Sequence, residues 1–247
     1  MKWIENYKLG AAETDINNIA SVSAMLRYMQ DSSNMQMKAM RPSYDELFEQ
    51  GLSFVLSRII ISIYSPLRAH DKFEGETWAA PSKGVTINRC YRLTKDGSVV
   101  AEALSAWALL NVKEKRLCRV NESGIDYGEE PFLELDMPAR FRIPAEAKLT
   151  LVGERMTEYA DCDLNGHMNN TYSLDMLCDF IPDMHNKRIL MLGINYVSEA
   201  VGSEVLKVYL AHNDGQYYIR TVRQDGTTNC EAIIMPENIR PVYNPEL

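Results

Sequence analysis

The chain has 247 residues, 46% of them hydrophobic and 24% charged, enough to bury the core of one large domain or of two smaller ones. Its 26 basic and 34 acidic residues leave a formal charge of −8, which argues against nucleic acid as the main partner. Five cysteines (Cys90, Cys118, Cys162, Cys178 and Cys230), odd in number and without CxxC spacing, argue against a disulfide frame and a zinc site and fit a reducing compartment.

In chain order, Asp15 and Asn17 read as a cap before a helix that contains Ser21 to Gln30. Val55 to Tyr64 is rich in β-branched residues and reads as a strand, with Thr77 to Ala80 and Val85 to Leu93 as further strands. Asp96-Gly97 is a turn signal, so Val99 to Val112 is expected to pair back with Trp107 facing inward. Lys113, Lys115, Arg116 and Arg119 form the densest basic run and read as a solvated face. Asn121 to Pro144, with Gly124, Gly128, Pro131, Pro138 and Pro144, reads as a linker. The expected organisation is therefore a first domain over 1–120, a linker over 121–147 and a second domain over 148–247.

The second half carries the densest chemistry. In Asp161-Cys162-Asp163-Leu164-Asn165-Gly166-His167-Met168-Asn169-Asn170, residues Asp163, Asn165 and His167 alternate with Leu164 and Gly166. In an extended approach they would project to one side. Asn169 and Asn170 are cap-type residues before a helix over Thr171 to Phe180, with Leu174, Leu177 and Cys178 on its apolar face. A carboxylate, an amide and an imidazole thus arrive at a helix N-terminus, where N–H groups can stabilise an oxyanion. Ile189 to Val197, Glu204 to His212, Tyr217 to Gln224 and Thr228 to Met235 read as strands around a turn at Asp225-Gly226.

The two halves echo each other. Asp15-Ile16-Asn17-Asn18-Ile19 lies under Asp163-Leu164-Asn165-Gly166-His167. Ile63-Tyr64-Ser65-Pro66 lies under Tyr196-Val197-Ser198-Glu199, and Asp96-Gly97 under Asp225-Gly226. The spacing between copies shortens along the chain because the first half has extra residues around Asn34 to Gln50. Each half therefore reads as one helix followed by strands joined by tight turns, which implies an α+β fold of antiparallel sheets, each burying one helix.

With Asp163-x-Asn165-x-His167-x-Asn169-Asn170, Tyr172 and Ile194-Asn195-Tyr196-Val197-Ser198-Glu199, the chain resembles the acyl-acyl-carrier-protein (acyl-ACP) thioesterases of plants and bacteria. Leu56-Ser57-Arg58, Thr77-Trp78 and Ser105-x-Trp107-x-Leu109-x-Asn111 extend the likeness into the first half. The resemblance implies a double hot-dog, two tandem helix-wrapped sheets forming an intramolecular pseudo-dimer. It also implies hydrolysis of fatty acyl-ACP to free fatty acid and holo-ACP, terminating fatty acid elongation. Asp163, Asn165, His167 and Glu199 are then the catalytic positions, no cofactor or metal is required, and the partner is an acyl carrier protein; a homodimer is compatible with it.

Some members carry a cysteine just after the glutamate; here that position is Ala200. Cys162 is disfavoured as a nucleophile because alternation turns it away from Asp163. A metal held by His167 with Asp161 or Asp163 is disfavoured because no second histidine has ligand spacing. Glu199 or Asp163 would activate water, directly or through His167, with Asn165 positioning water or thioester. Gly166, Met168 and Asn169 are the expected substrate-binding residues, their amides polarising the carbonyl. In the first half Ile19 and Pro66 replace His167 and Glu199 and cannot transfer a proton, so that half would be silent and free to shape an acyl pocket. Met25, Leu26, Met29, Met35, Met37, Met40, Phe54 and Trp107 could line such a pocket or simply form core. Competing functions are an acyl-CoA thioesterase, a hydroxyacyl dehydratase and a non-catalytic acyl-thioester sensor. No charged-then-apolar leader and no apolar run near the roughly 18 residues of a membrane helix are present, so a cytoplasmic protein without membrane contact is expected.

Overall fold

Each half opens on a short edge strand that its sequence disguises. In the computed structural model, which describes residues 2–125 and 130–240, β1 (Trp3–Lys8) precedes the first helix and β7 (Thr150–Met156) precedes the second. Exposed and half-buried positions alternate along β1 and along the second half of β7, with Glu5 and Lys8 in one and Glu154 and Arg155 in the other, so neither forms the apolar run that marks a central strand. Gly128 of the expected linker lies outside the described residues.

The first half continues with α1 (Val22–Ala39), α2 (Tyr44–Glu49), β2 (Leu52–Ile63), β3 (Lys72–Lys83), β4 (Thr86–Lys95), β5 (Ser98–Asn111) and β6 (Arg116–Cys118). The second continues with α3 (Asn170–Asp179), β8 (Lys187–Tyr196), β9 (Val205–Asn213), β10 (Gln216–Val222) and β11 (Thr228–Asn238). The extra residues of the first half are the second half of α1, which runs beyond Gln30, and α2. Asp96-Gly97 joins β4 to β5 with both residues at positive φ, as a two-residue hairpin requires. Asp214-Gly215 does the same between β9 and β10. Asp225-Gly226 sits instead in a wider loop closed by the Arg223 amide donating to the Thr227 carbonyl.

The strands form one antiparallel sheet of 11, in the order β1-β3-β4-β5-β2-β8-β11-β10-β9-β7, with β6 beside β5. Reading outward from the β2–β8 seam gives matching elements on either side, the double hot-dog pseudo-dimer. At the seam Arg58 faces Asn195 and Ile61 faces Leu192. The α1 and α3 helices lie against each other over one face of the sheet, where Met25, Leu26 and Met29 meet Leu174, Leu177, Ile59, Ile61 and Ile194 in the main core. Each such fully buried side chain contributes on the order of 1.5–3 kcal/mol.

The opposite face is covered by the segment between the halves. Met137, Leu135, Phe141 and Ile143 pack over Ile60, Ala211, Tyr218 and Ile233. This cover explains why Ile59, Ile60 and Ile61 are all buried although alternate residues point to opposite faces. It also explains Gly193: a Cβ there would collide with Met137 and Phe141. Trp107 is half-buried rather than core, packing with Phe54 against Leu47 of α2.

Candidate active site

The Asp163–His167 segment is a tight loop, not an extended strand. The Asp163 amide donates to the His167 carbonyl (2.8 Å) and the Gly166 amide to the Asp163 carbonyl (3.0 Å). The Asp163 carboxylate folds back to accept from the Asn165 amide at 2.8 Å and the His167 amide at 3.4 Å. Gly166 lies at φ +76, a left-handed conformation that the turn demands. The expected alternation fails because short polar side chains capture nearby amides more readily than they stay extended.

The loop ends in bridges that pair Cys162 with Met168 and His167 with Val201. The Met168 amide donates to the Ala200 carbonyl at 2.8 Å, tying the loop to the segment after β8. That tie brings Glu199 to the histidine: Oε2 is 3.2 Å from His167 Nδ1. The imidazole is one-third exposed and the carboxylate more than half, so water reaches both. Asn165 is exposed on the same loop, and Leu164 at the loop tip is fully exposed.

A set of residues not evident from the sequence holds the Glu199 segment. Glu204 is buried, accepts from the Val201 amide at 3.1 Å and is paired with Arg223 at 2.9 Å. The Glu204 amide donates to the Thr157 hydroxyl at 2.9 Å. Only a buried Glu near an Arg two strands away could have signalled this, and sequence separation hides such pairs.

Asn169 caps α3, its side-chain oxygen accepting from the Thr171 amide at 2.9 Å. Met168 is buried in the main core. The amides expected to polarise a carbonyl are already spent: Gly166 and His167 on Asp163, Met168 on Ala200, and Asn169 on the Asp161 carbonyl at 2.8 Å. Their work is to hold the loop, so a donor for a developing oxyanion must come from elsewhere. Cys162 donates to the Glu158 carbonyl at 3.5 Å, and burial between Asp175 and Asp179 pushes the Cys178 thiol up to about 12. Cys178 is therefore not set up as a thiolate. His70, His185 and His212 are exposed; the ring of His212 stacks on Tyr217.

The first half repeats the loop bond for bond. Asp15 accepts from the Asn17 amide at 2.8 Å and the Ile19 amide at 3.0 Å, and the Asp15 amide donates to the Ile19 carbonyl at 2.8 Å. Asn18, at φ 57, stands where Gly166 stands, and the Ala20 amide donates to Leu67 as Met168 does to Ala200. The cap of α1 is Ser21, not Asp15 or Asn17. Asn17 is buried, its amide nitrogen donating to the His185 carbonyl at 2.9 Å.

A sequence profile described as the acyl-ACP thioesterase N-terminal domain matches residues 1–127. The chloroplastic palmitoyl-acyl carrier protein thioesterase of Arabidopsis thaliana is 21% identical over 224 residues, 82% of this chain and 53% of the plant protein. The chloroplastic oleoyl-acyl carrier protein thioesterase 2 of the same plant is 24% identical over 76% of this chain and 57% of its own length. The chain thus spans about half the length of the curated relatives it matches. Among solved structures, an acyl-ACP thioesterase from Bacteroides thetaiotaomicron superposes with a TM-score of 0.86 at 19% identity, covering 96% of this chain and 98% of that one. The 12:0-ACP thioesterase of Umbellularia californica gives 0.82 at 16% identity, covering 96% and 97%.

Proposed function

Because the chain belongs to the acyl-ACP thioesterase family, we propose that it hydrolyses fatty acyl-ACP to free fatty acid and holo-ACP, in the cytoplasm and without a cofactor. The observation that carries this reading is the 3.2 Å contact between His167 Nδ1 and Glu199 Oε2, present in the second half and replaced by Ile19 and Pro66 in the first. Glu199 accepts the Nδ1 proton of a neutral imidazole, which fixes the tautomer and leaves Nε2 as the base.

His167 Nε2 takes a proton from water as the oxygen attacks the thioester carbonyl. The C–S bond then breaks, and the imidazolium returns that proton to the departing thiolate. A thiol with a pKa near 8.5 is a good leaving group, so this single acid–base residue is sufficient. Asn165, exposed on the same loop two residues before His167, is the donor to the developing oxyanion. Asp163 is a positioning residue: its carboxylate is spent on the loop, as that of Asp15 is in the half without a histidine. Gly166, Met168 and Asn169 serve the substrate through the backbone path they set. The domain boundaries that fit this division are 1–120 and 148–247.

The test is hydrolysis of acyl-ACP and acyl-CoA of varied chain length by wild type and His167→Ala. Release of free acid from acyl-ACP, lost in the variant, is expected. Equal rates in the variant would end the mechanism, and faster turnover of acyl-CoA would change the carrier.

A further inference from the structure

A cavity of about 620 Å³ lies at the silent loop, not beside His167 and Glu199. It is lined by Asn17, Ile19 and Pro66, the counterparts of Asn165, His167 and Glu199. Its volume falls within the roughly 300–1,000 Å³ of small-molecule pockets. We propose that this cavity is a second, non-hydrolytic binding site for the chain of a neutral fatty acyl thioester.

Position is the first argument. The bond-for-bond match of the two loops makes the cavity mouth the pseudo-symmetric partner of the catalytic loop, at the start of α1 as the other is at the start of α3. A ligand recognised by one half therefore meets the same backbone frame in the other; the acyl class rests on the thioesterase reading above.

The interior is the second argument. Val22, Met25, Ile63, Ile181, Met184 and Ile189 form an apolar wall from both halves, with flexible methionines suited to an acyl chain. Ile19 and Pro66 offer no proton donor or acceptor, so a thioester held there is not cleaved.

Charge selects the head group. Asp15, Asp175, Asp179 and Asp183 line the cavity. The Asp15 carboxylate is spent on its loop, and burial raises the Asp175 and Asp179 carboxyls above their ordinary value, so a further anion is poorly tolerated. Arg188 lines the same space with its guanidinium already paired to Glu237. The amide N–H groups of a pantetheine arm suit the carboxylates, which accept hydrogen bonds. A free fatty acid brings a carboxylate instead.

The experiment uses a dodecanoyl pantetheine amide with a diazirine in the chain, which the enzyme cannot hydrolyse, crosslinked to the full chain and mapped by peptide mass spectrometry. Adducts are expected within 16–25 and 181–189, competed about tenfold better by unlabelled amide than by dodecanoic acid. Adducts confined to 161–172 and 196–202, around His167 and Glu199, would overturn the proposal and leave the thioesterase reading intact. Equal competition by the free acid would overturn the head-group assignment. Met184→Trp and Ile19→Trp each fill the space; loss of the cavity adducts with unchanged acyl-ACP hydrolysis is expected, and adducts persisting in both folded variants would refute the site. Because labelling needs no turnover, failure to hydrolyse any acyl-ACP would refute the function while leaving the cavity result readable.

Discussion

The loops at Asp15–Ile19 and Asp163–His167 have the same backbone hydrogen bonds and differ in three side chains and in their surroundings. Where the second carries His167 near Glu199, the first carries Ile19 and Pro66. The exposed Asn165 has a buried counterpart in Asn17, held by the segment that follows α3. A loop that persists where its chemistry is absent is a structural device first. The parts shared by both copies therefore build the backbone, and the parts found in one copy do the chemistry.

The largest expected effect tests that division directly. His167→Ala should lower kcat by about 10²–10⁴-fold, and Glu199→Gln by a smaller factor because Nε2 survives. Adding Ile19→His to His167→Ala should restore nothing, since Pro66 offers no carboxylate to orient the new ring. Recovery of turnover in that double variant would mean the first loop lacks only a histidine.

The aspartates come next. Asp163→Asn retains an oxygen acceptor for the two loop amides and should keep most of the activity, whereas Asp163→Ala should lose both activity and about 1–2 kcal/mol of stability. Asp15→Ala should cost similar stability, read in denaturant, with kcat unchanged. If Asp163→Asn is as inactive as His167→Ala, the carboxylate is a base and the twin-loop argument fails.

A smaller effect is expected at the loop corner. Asn18 shows that asparagine tolerates this left-handed position, so Gly166→Asn should leave the melting temperature and kcat near wild type. Gly166→Val should cost about 1–2 kcal/mol, since a β-branched residue strains there although open space surrounds the position.

Much of this architecture was legible in residue patterns. The central strands β2, rich in β-branched residues, and β8, with its aliphatic run from Ile189 to Leu192, stand out because residues on both their faces pack against apolar neighbours. The edge strands β1 and β7 did not, since their many exposed positions and interspersed charges, Glu5 and Lys8 in one and Glu154 and Arg155 in the other, resemble a loop. The motif located the chemistry but misjudged its geometry: alternation suggested an extended run, and local capture of amides by Asp163 overrode it. The Glu204–Arg223 pair and the covering role of Met137 and Phe141 depend on which strands become neighbours, information that local pattern does not carry.

The smallest effect concerns the helix pair that joins the halves. Asp175 of α3 and Arg27 of α1 are counterparts in the repeat, and here they carry opposite charges close enough for Arg27 to pull the Asp175 pKa down. Burial outweighs that attraction and leaves the carboxyl above its ordinary 3.8, although Ser23 also hydrogen-bonds it. With the folded pKa raised, the folded state holds more protons than the unfolded one between 3.8 and the raised value, so stability falls as pH rises through that window. Above it the ionised, half-buried carboxylate weakens the helix interface; below it the cost is absent. Asp175→Asn keeps the acceptor for Ser23 and removes the titration. The variant should therefore match wild type at acid pH and exceed it modestly at neutral pH, measured as the denaturation midpoint across pH. A wild type more stable than the variant at neutral pH would show that the Arg27 attraction outweighs desolvation, and that the two halves are held together by charge as well as by their shared core.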